Sequence, residues 1–545
     1  MQQLSGQDAS FVYLETAATP MHIGSVAIYD PSSAPGGFVR FKDILKFIDS
    51  RLQGARSFRQ KLVRVPFDLD HPYWIEDGDF DLEYHVRHIA LPQPGDWRQL
   101  CIQTARLHAR PLDLNKPLWE FWIIEGLNNI PGIPKGSFAM VSKVHHAAID
   151  GMSGVEMSAA LHDLNADMRA NLPEDEWQPE TAPGFGELAL RTYINTLRQP
   201  LKFAKTIWNT IPGVTELTKQ VRSGDVTLAG TKLAPKTRFN KKVSAHRVFD
   251  GATFALNDVR AVKNILPGAT VNDVVLTIIG GGLRLYLEGK NEVPIDNMTA
   301  MAPISVRAEG EKESLGNLVS AMVVSLGTTV ADPLERLRHI HGESKNSKAM
   351  TNAVGARTLT DYSQLIPSGL AGLGARLYTR LGVANAHAPV FNCVATNVPG
   401  SRLPLYFVGA KLVKMLGLGP VFDGMGLINT IYSYVDEIVI SFTSDRKMIP
   451  DPDVYAQALR QSFEDLKAAA TAAANAPEKP APAAKVAKPS PKAPKPSPKT
   501  KVTKAAVTTP KLVAKAPKPA DKPKAAPAKS IKPKPVNPRK TKETA

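Results

Sequence analysis

The sequence predicts two mixed α/β halves, followed by a disordered basic tail. Strand-like and helix-like apolar patterns alternate through most of the first 470 residues, which is typical of α/β architecture. The pattern loosens between residues 166 and 245, and an Ala/Pro/Lys-rich stretch without aromatic residues ends the chain. The predicted domains are therefore a first half (1–175), a linker region (176–245), a second half (246–470) and a tail (471–545).

The first half contains apolar residues at alternating and helical spacings. We predict strands at 22–29, 81–91 and 136–146, and helices at 41–53, 97–110 and 151–164. The third of these strands runs directly into two adjacent histidines, His145 and His146. The doublet is therefore expected where a strand is followed by a helix.

The second half shows the same alternation. We expect Asn272 to cap a helix over 273–289, because a short polar side chain is favoured at that position. The remaining predicted elements are strands at 298–306, within 315–331 and at 391–398, a hairpin over 427–445, and helices at 332–345 and 451–470.

The net positive charge is confined to the tail. Residues 476–545 carry 19 Lys and Arg against 3 Asp and Glu, which accounts for the whole net charge of +16. We expect this segment to be disordered and to act either as an inert solubilising appendage or as an electrostatic tether. Anionic lipid would contribute about 1 kcal/mol per basic residue near its surface. Nucleic acid is less favoured, because the tail has no aromatic side chain for base stacking.

The cysteines and the N-terminus indicate a reducing compartment. Cys101 and Cys393 are far apart in the sequence, so we expect two buried thiols. The chain begins without the basic and apolar segments of a secretory signal, and no stretch has the composition of a membrane span. We expect a cytoplasmic protein whose membrane contact, if any, is peripheral.

The residues that carry chemistry are His145 and His146, followed by Asp150 and Gly151. A neutral imidazole has a reference pKa of about 6.5 and can remove the proton of an alcohol as its oxygen attacks. A thioester donor is already activated, so no covalent acyl-enzyme is required. The pattern therefore predicts a general-base site for acyl transfer.

Other site classes are disfavoured by missing motifs. Residues 151–155 fail the serine-hydrolase pattern G-x-S-x-G at the last position, and the sequence has no H-E-x-x-H, paired C-x-x-C, Walker A loop or G-x-G-x-x-G opening a helix. We predict no metal site, because too few ligands surround the doublet for zinc. Two histidines satisfied within a core remain the plain alternative, which is less expected for a doublet followed by Asp and Gly.

The motif also carries a resemblance. Residues 145–151 match the H-H-x-x-x-D-G signature of CoA-dependent acyltransferases of the chloramphenicol acetyltransferase-like fold. Further segments occur in the order found in the bacterial wax ester synthase/diacylglycerol acyltransferase family, and together they cover roughly residues 1 to 470. These segments are LSGQDASFVYLE, PMHIGSVAIYD, KPLWEFWIIEGL, VNDVVLTIIGGGLRLYL, PISVR, LGNLVSAMVVSL and TNVPGSRLPLYFVGA.

The resemblance implies two similar halves with the active site at their interface. It implies that His146 is the general base, that His145 supports it, and that Asp150 holds the loop through an arginine, for which Arg307 is the candidate. Gly151 permits the tight turn. The family motifs at Pro117, Leu118 and Trp119 and at Asn272 and Asp273 would line the substrate channel or be structural.

The resemblance further implies the reaction. The expected activity is transfer of a long acyl group from acyl-CoA to a fatty alcohol or a diacylglycerol, with no cofactor. The expected location is peripheral, at the inner membrane or a lipid-inclusion surface. Two alternatives stay open: a related condensing enzyme with a carrier-bound donor, and an inactive coat protein of lipid inclusions.

Overall fold

The computed structural model describes residues 1–149, 153–167, 177–195, 197, 233–305, 319–354 and 388–475. Most of the predicted linker region and the basic tail from 476 onward lie outside these residues. Among the described residues, none of the helices combines the length and the apolar composition that crossing a bilayer requires.

Nine helices are named here in chain order. They are α1 (Gly6–Leu14), α2 (Phe41–Asp49), α3 (Leu82–His85), α4 (Trp97–His108), α5 (Ser153–Leu161), α6 (Leu256–Ile265), α7 (Val271–Glu288), α8 (Pro333–Val354) and α9 (Pro452–Asn475). A further helical segment occupies residues 185–195.

The strands of the described residues form two six-stranded sheets and one small sheet. In chain order they are β1 (Gln2–Gln3), β2 (His22–Asp30), β3 (Gln60–Val63), β4 (Tyr73–Glu76), β5 (Val86–Ala90), β6 (Trp119–Glu125), β7 (Phe138–His145), β8 (Arg247–Ala255), β9 (Thr299–Ser305), β10 (Val319–Ser325), β11 (Cys393–Pro399), β12 (Tyr406–Phe407), β13 (Ala410–Leu418), β14 (Leu427–Tyr434) and β15 (Glu437–Asp445). The first sheet has the order β12-β13-β2-β7-β6-β5, the second β10-β9-β11-β14-β15-β8, and the small sheet β1-β4-β3.

The two six-stranded sheets do not correspond to the two halves of the chain. The strands β12 and β13 come from the second half of the chain, yet β13 pairs antiparallel with β2 and completes the first sheet. Leu416 and Leu418 of β13 belong to one core with Val26 of β2, and that core also contains Phe249 and Val439 of the second sheet. The two halves therefore share apolar packing as well as strands.

Most of the predicted elements are confirmed. The strands that precede the histidine doublet, the hairpin of β14 and β15, and the final helix α9 all form. The prediction of one continuous strand over 81–91 was wrong in its first part. Asp81 accepts a hydrogen bond from the main chain of Glu83 and caps the short helix α3, so the strand starts only at Val86. The expected buried thiols are confirmed, since Cys101 and Cys393 are both buried and free.

Helix α7 contains three consecutive glycines because it lies in close contact with its neighbours. Glycine in a helix interior costs about 1 kcal/mol relative to alanine. A Cβ on Gly280 would lie 2.0 Å from the carbonyl oxygen of Leu326, and one on Gly282 would lie 2.8 Å from the side chain of Leu459 in α9. The missing side chains allow α7 to pack at this distance.

A buried ion pair joins Arg51, which follows α2, to Asp163, which follows α5. Arg51 donates two hydrogen bonds to Asp163, at 3.2 and 3.0 Å, and both side chains are 3 % exposed. The main chain of Asp163 pairs with Tyr406 in both directions. The ion pair therefore lies where the chain leaving the doublet region meets the strand supplied by the second half.

Replacing Arg51 with Met should destabilise the protein by about 3–5 kcal/mol, because Asp163 would keep a buried charge without its partner. The free energy of unfolding, measured in urea, tests this. The matched control is Arg338→Met, which breaks an exposed pair with Glu335 and should cost less than about 1 kcal/mol. Equal effects of the two substitutions would contradict the assigned role of the buried pair.

Candidate active site

The histidine doublet lies at the carboxyl end of β7, a central strand of the first sheet. The main-chain N–H of His145 donates to the carbonyl of Leu118 at 2.9 Å, and that of His146 donates to the carbonyl of Met21 at 2.8 Å. Leu118 precedes β6 and Met21 precedes β2, the two neighbours of β7. Hydrogen bonds from both sides therefore fix the backbone of the doublet.

The ring of His145 is fully buried and hydrogen-bonded at both nitrogens. Its Nδ1 accepts the main-chain N–H of Ala147 at 3.0 Å, so the proton must reside on Nε2. Nε2 donates to the carboxylate of Glu15 at 2.5 Å. Glu15 follows α1 and is itself only 9 % exposed. These contacts fix the orientation and the tautomer of His145.

The ring of His146 is half-buried and has a different environment. It stacks on Phe11 of α1, with ring centroids 3.9 Å apart and an angle of 9° between the planes. Burial lowers the pKa of His146 to about 4; its own main-chain carbonyl opposes this change and His145 adds to it. No other described residue pairs with its Nδ1. The ring is therefore neutral at pH 7.

A layer of buried polar groups lies next to the doublet on the same sheet. His22 pairs with His145 across β2 and β7, and its Nε2 donates to the carbonyl of His108 at 2.5 Å. Nε2 of His108 in turn donates to the carbonyl of Gly419 at 3.0 Å. Burial lowers the pKa of His108 to about 3, so this ring is also neutral. Through Gly419 the layer reaches the second half.

Sequence reasoning did not identify Glu15 and Phe11 as site residues. Both belong to a segment that supported the family resemblance, but no spacing rule connects them with the doublet. Glu15 and His145 are 130 positions apart in the chain. A single acidic residue after a helix gives no signal of its own.

Three of the predicted site residues lie at the start of β6, the strand beside β7. Pro117 and Leu118 are buried immediately before β6, and the carbonyl of Leu118 holds His145. Trp119 is fully buried in the core of the first half, where its indole N–H donates to the carbonyl of Phe58 at 2.9 Å. The side chain of Trp119 thus contributes to the apolar packing beneath the site.

The prediction that Asn272 caps α7 was wrong. The capping residue is Thr270, whose hydroxyl accepts from the main chain of Asp273, while the Asp273 carboxylate accepts from the main chain of Thr270. Asn272 lies inside the first turn. Asp273 also contacts His341 of α8 at 3.0 Å, and no described contact joins Asn272 or Asp273 to the doublet.

The remaining predicted site residues, Asp150, Gly151 and Arg307, lie outside the described residues. Within the described part of the chain, no group of three or more His, Cys, Asp or Glu side chains is arranged to hold a metal ion. The described chemistry of the site therefore consists of the two imidazoles, the Glu15 carboxylate and their backbone partners.

Comparisons with known proteins give a consistent family assignment. The profile of the wax ester synthase/diacylglycerol acyltransferase catalytic domain matches residues 4–275, and that of the family's C-terminal domain matches residues 315–467. A putative diacylglycerol O-acyltransferase of Mycobacterium tuberculosis is 31% identical over 85% of this chain and 90% of its own length. Another from the same organism is 32% identical over 86% of this chain and 99% of its own length.

A solved structure supports the same assignment. The wax ester synthase/diacylglycerol acyltransferase from Marinobacter aquaeolei VT8 matches with a TM-score of 0.62 and 27% identity, over 86% of this chain and 100% of that chain. The family profile, the relatives and the solved structure thus define an acyltransferase with the chloramphenicol acetyltransferase-like fold. Within that class, the chain belongs to the wax ester synthase/diacylglycerol acyltransferase family, as the sequence motifs indicated.

Replacing Glu15 with Gln should lower kcat about tenfold or more, because His145 would lose its charged partner and the doublet its fixed geometry. Initial rates of acyl transfer measure the effect. The control is Glu83→Gln, which removes an exposed carboxylate on α3 and should leave the rate unchanged. A Glu15→Gln enzyme as fast as wild type would show that the contact with Glu15 does not support the doublet.

Proposed function

We propose that this protein transfers a long acyl group from acyl-CoA to a fatty alcohol or a diacylglycerol, with His146 as the general base. The observation that carries the proposal is the His146 imidazole at the end of β7, which is half-buried, stacked on Phe11 and neutral at pH 7. Such a ring has a lone pair available for an incoming hydroxyl.

The proposed reaction needs no covalent acyl-enzyme. With its proton on Nδ1, His146 presents Nε2 to the alcohol and takes the hydroxyl proton as the oxygen attacks the thioester carbonyl. The tetrahedral intermediate then collapses, the carbon–sulfur bond breaks, and the imidazolium returns the proton to the departing CoA thiolate. The products are an ester and CoA, and the proposal requires acyl-CoA only as a substrate, without a cofactor.

The other predicted site residues keep their roles as proposals. His145 supports His146 by holding the start of the turn, a role favoured by its contact with Glu15. Asp150 would hold the loop, with Arg307 as its partner, and Gly151 would permit the turn. Pro117, Leu118 and Trp119 would act through packing and backbone contacts, and Asn272 and Asp273 through the start of α7.

The acceptor class is proposed from the relatives. The Mycobacterium tuberculosis relatives are named as putative diacylglycerol O-acyltransferases, and the Marinobacter protein as a wax ester synthase/diacylglycerol acyltransferase. A carrier-bound donor is the second candidate, and a comparison of CoA-linked with carrier-linked acyl groups separates the two. An inactive coat protein is disfavoured, because the doublet is intact and its geometry is fixed.

Replacing His146 with Ala should lower kcat by about 10²–10⁴-fold, because the alcohol would lose its proton acceptor. The assay measures ester formation from palmitoyl-CoA and either hexadecanol or dioleoylglycerol, and CoA release is its readout. His88→Ala, on the outer strand β5, is the control and should leave kcat unchanged. Undiminished turnover without the His146 ring would reject the proposal.

The pH profile of the same reaction gives a second readout. A base with a pKa of about 4 stays neutral as the pH falls from 8 to 5, so kcat/KM should be flat there and should decline only as the pH approaches 4. An ordinary imidazole would already lose half its activity near pH 6.5. Circular dichroism at each pH separates this decline from unfolding.

We also propose that the enzyme works at a lipid surface. Of the eight described large apolar side chains that are at least 60 % exposed, six belong to one loop and one helical segment: Phe67, Leu69, Phe185, Leu190, Tyr193 and Leu197. The two elements adjoin, because Leu188 shares a core with Val65 and Tyr73, and Asn195 donates to Asp70. Six exposed apolar side chains on two adjoining elements favour contact with lipid.

The basic tail would add a salt-sensitive attraction to anionic headgroups. Nucleic acid is the less favoured partner of the tail.

Replacing Phe67 and Leu69 together with Ser should weaken binding to vesicles of phosphatidylglycerol and phosphatidylcholine about tenfold or more, at low and at high salt. Vesicle co-sedimentation measures this. Ile295→Ser is the control, since Ile295 is 98 % exposed and lies outside both elements. Deleting residues 476–545 should weaken binding at low salt only. Unchanged binding of the double variant would reject this surface as the lipid contact.

A further inference from the structure

A buried arginine of the second half contacts the loop that supports the doublet. Arg247 opens β8 and is 4 % exposed. Its Nη2 donates to the carbonyl of Ala18 at 2.5 Å, and its Nη1 donates to the carbonyl of Ser244. Ala18 lies in the loop between α1 and β2, so this hydrogen bond connects the two halves.

That loop, residues 15–21, has both of its ends attached to the doublet. Glu15 binds the ring of His145 at one end, and the carbonyl of Met21 accepts the N–H of His146 at the other. Between them, Thr16 and Thr19 close a tight turn through two main-chain hydrogen bonds, at 3.3 and 3.0 Å, and a hydroxyl–hydroxyl contact of 2.7 Å. A displacement of the turn at Ala18 would therefore reach both histidines.

The position of Arg247 is energetically expensive. Burial lowers the pKa of its guanidinium to about 10, against the opposing effect of Asp445 and Asp423. Within the described part of the chain no carboxylate forms a salt bridge with it, and Asp445 instead accepts from the main chain and hydroxyl of Ser244. A buried cation that binds only carbonyl groups is a weak source of stability. The hydrogen bond to Ala18 is the distinguishing contact of Arg247, because it reaches the first half.

We propose that Arg247 is a positioning residue for the acyl-transfer reaction, which holds the 15–21 loop from the second half and so makes the geometry of the doublet depend on the contact between the halves. This inference rests on the proposed function for its kinetic readout. Without the hydrogen bond to Ala18, the loop relaxes and the supports of His145 and His146 shift together. A displacement of about 1 Å at reacting groups lowers rates about 10²-fold.

The kinetic test uses two variants and one matched control. Arg247→Met removes both donors, and Arg247→Gln keeps a polar amide that is too short to reach Ala18. The control is Arg336→Met, because Arg336 is also 4 % exposed and, among the described residues, donates only to carbonyls of its own half, those of Gly327, Val330 and Ala331. All rates are measured on folded protein, well below the unfolding temperature.

Both Arg247 variants should lower kcat about 10- to 100-fold with KM changed less than about threefold, whereas Arg336→Met should retain kcat even where it loses comparable stability. If Arg247→Met does not fold, Arg247→Gln carries the test. Wild-type kcat in a folded Arg247 variant overturns the proposal, and so does an equal loss of kcat in Arg336→Met.

A double-mutant cycle tests whether Arg247 acts through the loop. In the Arg247→Gln/Glu15→Gln enzyme the two losses should overlap, so that kcat is close to that of the slower single variant. A kcat reduced by the product of the two separate factors would mean that the residues act independently, and would overturn the proposed route through residues 15–21.

Hydrogen exchange gives a readout that does not depend on turnover. The main-chain amides of residues 16–22 should exchange at least tenfold faster in Arg247→Gln than in wild type, and at the wild-type rate in Arg336→Met. Unchanged exchange in Arg247→Gln overturns the proposal. If wild-type protein esterified no alcohol, the proposed function would fail, and the exchange experiment would still decide whether Arg247 holds the loop.

Discussion

Desolvation of one imidazole is the constraint on which the rest of the structure depends. His146 is neutral because burial disfavours its charged form. Fixed contacts hold this residue in place: its ring stacks on Phe11, its main-chain N–H donates to the carbonyl of Met21, and its neighbour His145 is anchored by Glu15. Helix α1 is therefore part of the proposed active site, because it supplies Phe11 and leads directly into Glu15.

The sequence allows the doublet and its strand-to-helix setting to be predicted, because these depend on residues close together in the chain. The alternation of apolar residues specifies β2, β7 and the β14–β15 hairpin, and the two histidines stand where β7 ends. The contacts that support the doublet join distant positions: Glu15 and His145 are 130 positions apart, and Arg247 and Ala18 are 229 positions apart. Periodicity carries no information about such pairs.

A local sequence pattern can also be compatible with more than one local structure. Asn272 and Thr270 are both suitable helix caps, and the choice of Thr270 lets Asp273 complete a reciprocal pair of hydrogen bonds. The alternating residues of 81–91 favour a strand, but the side chain of Asp81 starts a helical turn before it. In each case a side-chain hydrogen bond shifts the boundary by a few residues without changing the fold.

The membership of β13 in the first sheet has a consequence for how the protein is made. Strand β2 is complete once residue 30 has been synthesised, but its partner on one edge ends only at Leu418. At about 10 residues per second, the ribosome needs on the order of 40 s to deliver that strand. Until then this edge of β2 lacks its partner and is open to pairing with other nascent chains, so the shared sheet lengthens the time during which the unfinished protein can aggregate.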